Sequence, residues 1–133
     1  MRKTLLLLFP IAFAGCQTWG PTWSEVSGGR YYNLTTLNRS ATIIEQIDGR
    51  SETPQGYRRA IWIQPGRHVL TLQGVPLRPG WQGYLQEFVL EAQPCQRYYI
   101  NAQFNGPLVQ SDWRPVIDYV EPIAGCRVMT ASK

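Results

Sequence analysis

The stretch Tyr84-Leu85-Gln86-Glu87-Phe88-Val89-Leu90-Glu91-Ala92 decides the fold. Apolar and charged side chains alternate along it, and a repeat of two residues is typical of a strand with one face in the core and one in solvent. The pattern predicts a half-buried strand whose inward residues include Phe88, Leu90 and Ala92.

The same period recurs on both sides of this stretch. After a turn at Pro94-Cys95-Gln96, the run Arg97–Phe104 places an apolar set on one face: Tyr98, Ile100, Ala102 and Phe104. Further strands are predicted at Tyr31–Leu37, Ala41–Ile47, Tyr57–Ile63, His68–Val75 and Trp113–Val120. Pro115 cannot donate a ladder hydrogen bond, which indicates that the last of these is an edge strand or that Pro115 lies at a strand start.

Turn signals separate these strands, with Asp48-Gly49 and Pro65-Gly66 the clearest. No sustained helical period follows Ala14. The sequence therefore predicts an all-β protein, a single small antiparallel β-sandwich of seven or eight strands, with a small barrel as the related alternative.

The first sixteen residues have the pattern of an export signal. Arg2 and Lys3 precede an apolar run from Leu5 to Phe13 that is too short to span a bilayer. Phe13-Ala14-Gly15-Cys16 resembles the lipobox of bacterial lipoproteins, which implies lipidation of Cys16 after cleavage. In that family the next residue sorts between membranes, and Gln17 implies the outer membrane. The domain is expected on the periplasmic face, with the cell exterior as the alternative.

Two alternatives to the anchor stay open: a soluble-secretion signal ending at Ala12-Phe13-Ala14, and a short uncleaved hydrophobic tail. With the anchor, the chain divides into a signal peptide over 1–15, a lipidated N-terminus and tether over 16–29, and an all-β domain over 30–133. The signal is predicted to be a helix that does not belong to the working fold.

Charge and cysteine content narrow the class of protein. The formal net charge of +4 includes Arg2 and Lys3, and the remaining basic residues form no concentrated stripe, so nucleic-acid binding is not expected. With Cys16 assigned to lipid, Cys95 and Cys126 remain as an even pair in an oxidising compartment. A disulfide between them is expected, and two buried free thiols are the alternative.

A resemblance covers Ala41–Ile100. Ile47-Asp48-Gly49, then Tyr57-Arg58-Arg59, then Pro65-Gly66-Arg67-His68 is similar to the PEGA-type β-sandwich module and to small uncharacterised Gram-negative lipoproteins. Gln64-Pro65-Gly66-Arg67 stands where those modules carry Pro-Glu-Gly-Ala. The resemblance implies a binding or scaffolding role at the cell envelope, without catalysis.

No catalytic constellation is visible in the sequence. His68 is the only histidine and has no nucleophile in a recognised setting, so it is expected to make a structural hydrogen bond beside a turn. Glu87 and Glu91 lie four residues apart on an outward strand face, roughly 13 Å from each other, which is too far for a glycosidase pair. No metal site and no cofactor are predicted.

Binding is therefore the expected function, and the candidate residues lie in or beside the longest Pro/Gly loop: Arg78, Trp81 and Tyr84. Trp62 and Trp113 fall on predicted strands and are expected to cover the core. The sequence favours a non-enzymatic module that binds an envelope protein partner. The alternatives are a glycan-binding module acting through Trp81 and a small enzyme inhibitor, the latter on a faint similarity of Ser27-Gly28-Gly29-Arg30-Tyr31-Tyr32 to periplasmic lysozyme inhibitors.

Overall fold

A computed structural model describes residues 22–29, 38–52, 59–75, 85–105 and 112–128. Eight strands and no helix occur within these ranges. The strands are β1 (Ser24–Ser27), β2 (Arg39–Ile47), β3 (Arg50–Ser51), β4 (Ile61–Ile63), β5 (Gly66–Gly74), β6 (Leu85–Ala92), β7 (Gln96–Phe104) and β8 (Trp113–Pro122). The all-β prediction is confirmed. The predicted signal helix and the predicted strand at Tyr31–Leu37 lie outside the described residues.

The strands form one mixed sheet that folds over on itself like a small sandwich. Its order is β4-β1-β7-β2-β5-β6, with β3 paired to β2 and β8 paired to β7. Strand β2 belongs to both halves, because Arg39–Ala41 pair with β7 and Thr42–Ile47 pair with β5. The core lies between the two halves.

Strand β1 departs from the predicted organisation in two ways. It runs parallel to β7, so the sheet is not purely antiparallel. It also lies within the predicted tether, and that prediction is wrong for Ser24–Ser27, which are buried between β4 and β7. Four residues are too few to show an alternation, and three of the four are polar, so the sequence contained no apolar pattern that would predict the strand.

The predicted inward faces form the core. Leu90 and Ala92 of β6 are buried, Phe88 packs against the cluster, and Leu70 and Leu72 of β5 are fully buried. The four predicted inward residues of β7, Tyr98, Ile100, Ala102 and Phe104, are all buried as well. Because a strand repeats every two residues, the alternation in the sequence was enough to assign these faces.

The turn between β2 and β3 has the predicted chemistry. Asp48 and Gly49 adopt positive φ angles of 52° and 77°, as the two central residues of a type I′ hairpin turn require. The turn after β4 also agrees, since Gly66 has a φ of 126°. Strand β4 is shorter than predicted: within the described part of Tyr57–Ile63 only Ile61–Ile63 are strand.

Candidate interaction surfaces

The predicted site residues fall into two groups. Cys16, Arg78, Trp81 and Tyr84 lie outside the described residues. Cys95 and Cys126 lie within them, with sulfur atoms at bonding distance and Cα atoms 5.4 Å apart, so they form the disulfide that was expected.

The disulfide joins three chain segments at one end of the molecule. The backbone N–H of Cys95 donates to the carbonyl oxygen of Trp23 at 2.8 Å, and the N–H of Ile123 donates to the carbonyl of Cys95 at 2.9 Å. The hydroxyl of Thr22 donates to the carbonyl of Arg127 at 2.6 Å. The start of β1, the turn between β6 and β7 and the segment after β8 are therefore held together.

One row of side chains crosses four strands on the outer face of the sheet. Trp62 of β4 is opposite Glu25 of β1, Glu25 is opposite Arg97 of β7, and Arg97 is opposite Glu121 of β8. Directly opposed residues point to the same face, so the register alone brings these four side chains into line. We call Glu25, Arg97 and Glu121 the charged row.

The charged row is internally paired, with one guanidinium held between two carboxylates. Arg97 donates from Nε to Glu25 and from a terminal nitrogen to Glu121 at 3.0 Å, while the hydroxyl of Tyr99 donates to the same Glu121 oxygen at 2.6 Å. The hydrogen bond to Glu25 raises the pKa of Arg97 above its ordinary value, although partial burial opposes the shift. Arg97 therefore stays charged between the two carboxylates, and Glu25 is engaged as an ion-pair partner.

Trp23 and Trp62 form a stacked pair beside this row, which we call the Trp pair. The ring centroids are 5.3 Å apart and the planes are inclined by 25°. The indole N–H of Trp23 donates to Glu25 at 3.0 Å, and Trp62 is 57% exposed. A hydrogen bond on one ring and stacking on the other hold both rings in place.

The two tryptophans predicted to lie on strands and cover the core, Trp113 and Trp62, differ in their burial. Trp113 is buried at 3% exposure, as predicted, and packs near Phe104 with ring centroids 6.5 Å apart. The prediction that Trp62 covers the core is wrong, because its ring lies on the outer face. The alternation Ile61-Trp62-Ile63 carried the signal: both isoleucines point inward, so the residue between them points outward.

Strand β8 exposes large side chains on both of its faces: Tyr119 lies opposite Tyr99, while Ile117 and Val120 lie opposite the buried Ile100 and Tyr98 and share their face. Ile117, Tyr119 and Val120 are 44%, 45% and 39% exposed, and we call these three residues the β8 patch. The ring of Tyr119 lies against that of Tyr99, with centroids 6.1 Å apart. Within the described ranges β8 pairs only with β7, so the prediction of an edge strand is confirmed.

His68 has the structural role that the sequence predicted. Its Nδ1 lies 2.7 Å from a carboxylate oxygen of Asp48, and its Nε2 lies 2.7 Å from the carbonyl oxygen of Gln64. Both ring nitrogens therefore contact turn residues, one in the β2–β3 turn and one in the turn after β4.

Two further properties of the described residues concern metal binding and membrane spanning. Among the residues that the structure describes, no three side chains of His, Cys, Asp or Glu are grouped as metal ligands would be. The described segments also contain no helix with the length and apolar character needed to cross a membrane.

Comparison of the chain with protein-family models, with curated proteins and with solved structures finds no match. Function is therefore inferred from the geometry of these surfaces and from the sequence.

Proposed function

We propose that this chain is an outer-membrane lipoprotein whose periplasmic β-domain is a non-enzymatic module that binds an envelope protein partner. The β8 patch carries the proposal, because Ile117, Tyr119 and Val120 expose apolar and aromatic surface on an edge strand. An edge strand presents backbone donors and acceptors, and a partner strand that adds to it gains hydrogen bonds and side-chain contacts together.

The N-terminal sequence supports the location. Arg2, Lys3 and the apolar run before Cys16 have the pattern of an export signal, and Gln17 follows the proposed lipid attachment point. A disulfide between Cys95 and Cys126 fits an oxidising compartment such as the periplasm.

The composition of the patch favours a protein over a glycan. Two of its three residues are aliphatic, and branched aliphatic side chains offer no flat face on which a sugar ring stacks. The glycan alternative depends on Trp81, which lies outside the described residues, and it stays a prediction.

The inhibitor alternative gains no support from β1. Ser27, which opens the stretch similar to lysozyme inhibitors, is buried at 2% exposure. Gly28 is packed so closely against Thr42 that an added Cβ would lie 1.9 Å from the Thr42 carbonyl oxygen. The described part of that stretch is therefore enclosed in the sheet and does not protrude.

Site-specific photocrosslinking in intact Gram-negative cells tests the protein partner. A photoreactive phenylalanine analogue replaces Tyr119 in one variant and Val89 of β6 in the control, and both positions are 45% exposed on edge strands. We expect a discrete light-dependent adduct with an envelope protein from position 119 and none from position 89. Ile117→Lys with Val120→Lys should abolish that adduct.

Equal adducts from both positions, or none from either, would contradict the protein-binding proposal. The anchor is tested separately by metabolic fatty-acid labelling and membrane fractionation of wild type and Cys16→Ala. Wild type should be labelled and sediment with outer membranes, and the variant should be unlabelled and soluble. An unlabelled wild type would overturn the lipoprotein assignment.

A further inference from the structure

We propose that the Trp pair, Trp23 with Trp62, rests on the bilayer surface and fixes the orientation of the domain relative to the membrane. The inference rests on the proposed lipid anchor at Cys16 and adds a second contact with the same membrane. Its occupant is the headgroup region of a lipid bilayer.

Chain length keeps the Trp pair close to the lipid. Trp23 follows Cys16 by only seven residues, and a fully extended chain spans at most about 3.6 Å per residue, or roughly 25 Å over this distance. The bilayer surface therefore lies within reach of the end of the domain that carries Trp23.

This end of the domain is rigidly built. The carbonyl of Trp23 accepts from the N–H of Cys95, and the Cys95–Cys126 disulfide joins that turn to the segment after β8. Val26, three residues later, is fully buried in the core. Because the backbone of Trp23 belongs to the folded domain, a contact between the Trp pair and a membrane would orient the whole molecule.

The chemistry of the pair suits the membrane interface. Tryptophan is enriched at headgroup level, where its large ring is apolar and its indole N–H is polar. The 57% exposed face of Trp62 is the apolar contact surface, and the carboxylate of Glu25 beneath the pair is compensated by Arg97. Glu25 is therefore no isolated carboxylate, although the charged row as a whole carries one net negative charge, and the contact proposed is between the tryptophan rings and the headgroup region.

The segment after β8 lies at the same end of the domain as the Trp pair. Thr22 binds the carbonyl of Arg127, so Arg127 and the 57% exposed Val128 lie beside the start of β1. This end of the domain therefore combines a cationic and an apolar residue with two tryptophans, a combination typical of interfacial membrane contacts.

Trp fluorescence of the acylated full chain on vesicles tests the orientation. The vesicles contain phosphatidylethanolamine and phosphatidylglycerol in equal amounts, with a fraction of lipid carrying a nitroxide quencher at headgroup level. We expect Trp62→Phe to reduce the fraction of emission that the quencher removes. Trp62 is exposed, so this change leaves the core intact.

Leu85→Trp is the matched control. Leu85 is 61% exposed, and it begins the strand whose last residue, Ala92, lies beside the disulfide turn. A strand rises about 3.3 Å per residue, so position 85 is roughly 23 Å from the proposed membrane-facing end. The added tryptophan should emit without being quenched.

Three outcomes would overturn the inference. In the first, the quenched fraction is the same in Trp62→Phe as in wild type. In the second, Leu85→Trp adds emission that is quenched as strongly as that of Trp62, which indicates a domain without fixed orientation. In the third, the soluble Cys16→Ala chain self-associates through Trp62, so that a second copy covers the pair. Flotation separates this from failure of the anchor: if wild type does not float with the vesicles, the proposed lipoprotein and the inference both fail.

Discussion

Asp48 connects the β2–β3 turn to strand β5 through a single carboxylate. One oxygen accepts the backbone N–H of Val69 at 2.8 Å and the other contacts Nδ1 of His68 at 2.7 Å. The hydrogen bond from Val69, followed by that from His68, lowers the pKa of Asp48 below its ordinary 3.8.

The lowered pKa of Asp48 predicts a specific dependence of stability on pH. A carboxyl whose folded pKa is depressed contributes stability above its unfolded pKa, and this contribution is lost as the pH falls through the folded value. Asp48→Asn should therefore lower the free energy of unfolding at neutral pH and flatten its decline below about pH 4. Urea unfolding at a series of pH values measures this.

Glu87→Gln, a change at an exposed carboxylate on the outer face of β6, is the control for that series. The free energy of unfolding of this variant should decline below about pH 4 as steeply as that of wild type, and we call this decline the acid limb. A steep acid limb retained in Asp48→Asn would show that Asp48 does not contribute to acid sensitivity.

Gly28 marks the point where β1 ends against β2. The N–H of Thr42 donates to the carbonyl of Gly28 at 2.6 Å, and a Cβ at position 28 would lie 1.9 Å from the carbonyl oxygen of Thr42. A backbone atom cannot move aside as a flexible side chain does, so Gly28→Ala forces the two strands apart. We expect a loss of about 3 kcal/mol in the free energy of unfolding.

Gly49→Ala supplies the comparison for Gly28→Ala. Position 49 has a positive φ, but nothing lies within 4 Å of an added Cβ, so the change introduces backbone strain without a clash. It should cost only about 1 to 2 kcal/mol. If urea unfolding places Gly28→Ala at or below the cost of Gly49→Ala, the close packing of β1 on β2 is not as described.

At the scale of elements, the strands differ in how far the sequence predicted them. Strands β6 and β7 have runs of apolar residues at alternate inward positions, Phe88 to Ala92 and Tyr98 to Phe104, so their faces were assigned from the period alone. Strand β1 was missed because Glu25 is a charged residue whose burial depends on pairing with Arg97, seventy-two residues away. A contact between residues so far apart in sequence produces no recognisable pattern within a short polar segment.

The interaction surfaces follow the same rule. The disulfide was predictable because few cysteines were available, and Trp62 was detectable from its position between Ile61 and Ile63. The charged row was not, because it depends on the register of three strands, one of which is distant in sequence from the other two. Register arises from tertiary pairing and has no local signature when one of the strands is short and polar.

Arg97→Met tests the charged row. It leaves Glu25, whose side chain is 5% exposed, without its cation, and removal of one partner from a buried ion pair is costly. We expect a loss of about 2 to 3 kcal/mol in the free energy of unfolding. The loss is smaller than for a fully buried pair because the Arg97 side chain is 32% exposed.

Arg67→Met is the matched control for the charged row. Arg67 pairs with Glu91 at 3.6 Å, and both side chains are about two-thirds exposed, at 67% and 65%. An ion pair in solvent contributes little, so this variant should stay within about 0.5 kcal/mol of wild type. Equal effects of the two substitutions in urea unfolding would count against a buried role for Glu25.

At the scale of the whole molecule, the disulfide links positions 31 residues apart and secures the end that carries both described termini. Closing a loop of this size is expected to stabilise the fold by roughly 3 to 4 kcal/mol in the chain-entropy treatment. Cys95→Ala with Cys126→Ala should lower the free energy of unfolding by about that amount.

Reduction gives an independent measure of the same bond. Wild type treated with dithiothreitol should unfold at the same urea concentration as the double variant, and dithiothreitol should leave the double variant unchanged. A wild-type transition that does not respond to the reductant, with complete reduction verified by mass, would mean that the bond does not contribute to stability.

The position of β1 also determines how the molecule transmits mechanical force. A pull between the lipid and a partner held on β8 would enter at Trp23, run along β1, cross to β7 and leave through β8. Because the hydrogen bonds of β1 to β4 and β7 lie across the direction of pull, they would be loaded together in shear and would not open one after another. Strands β5 and β6 lie outside this path, so tension at the envelope would be carried by one half of the sheet while the other half remained unloaded.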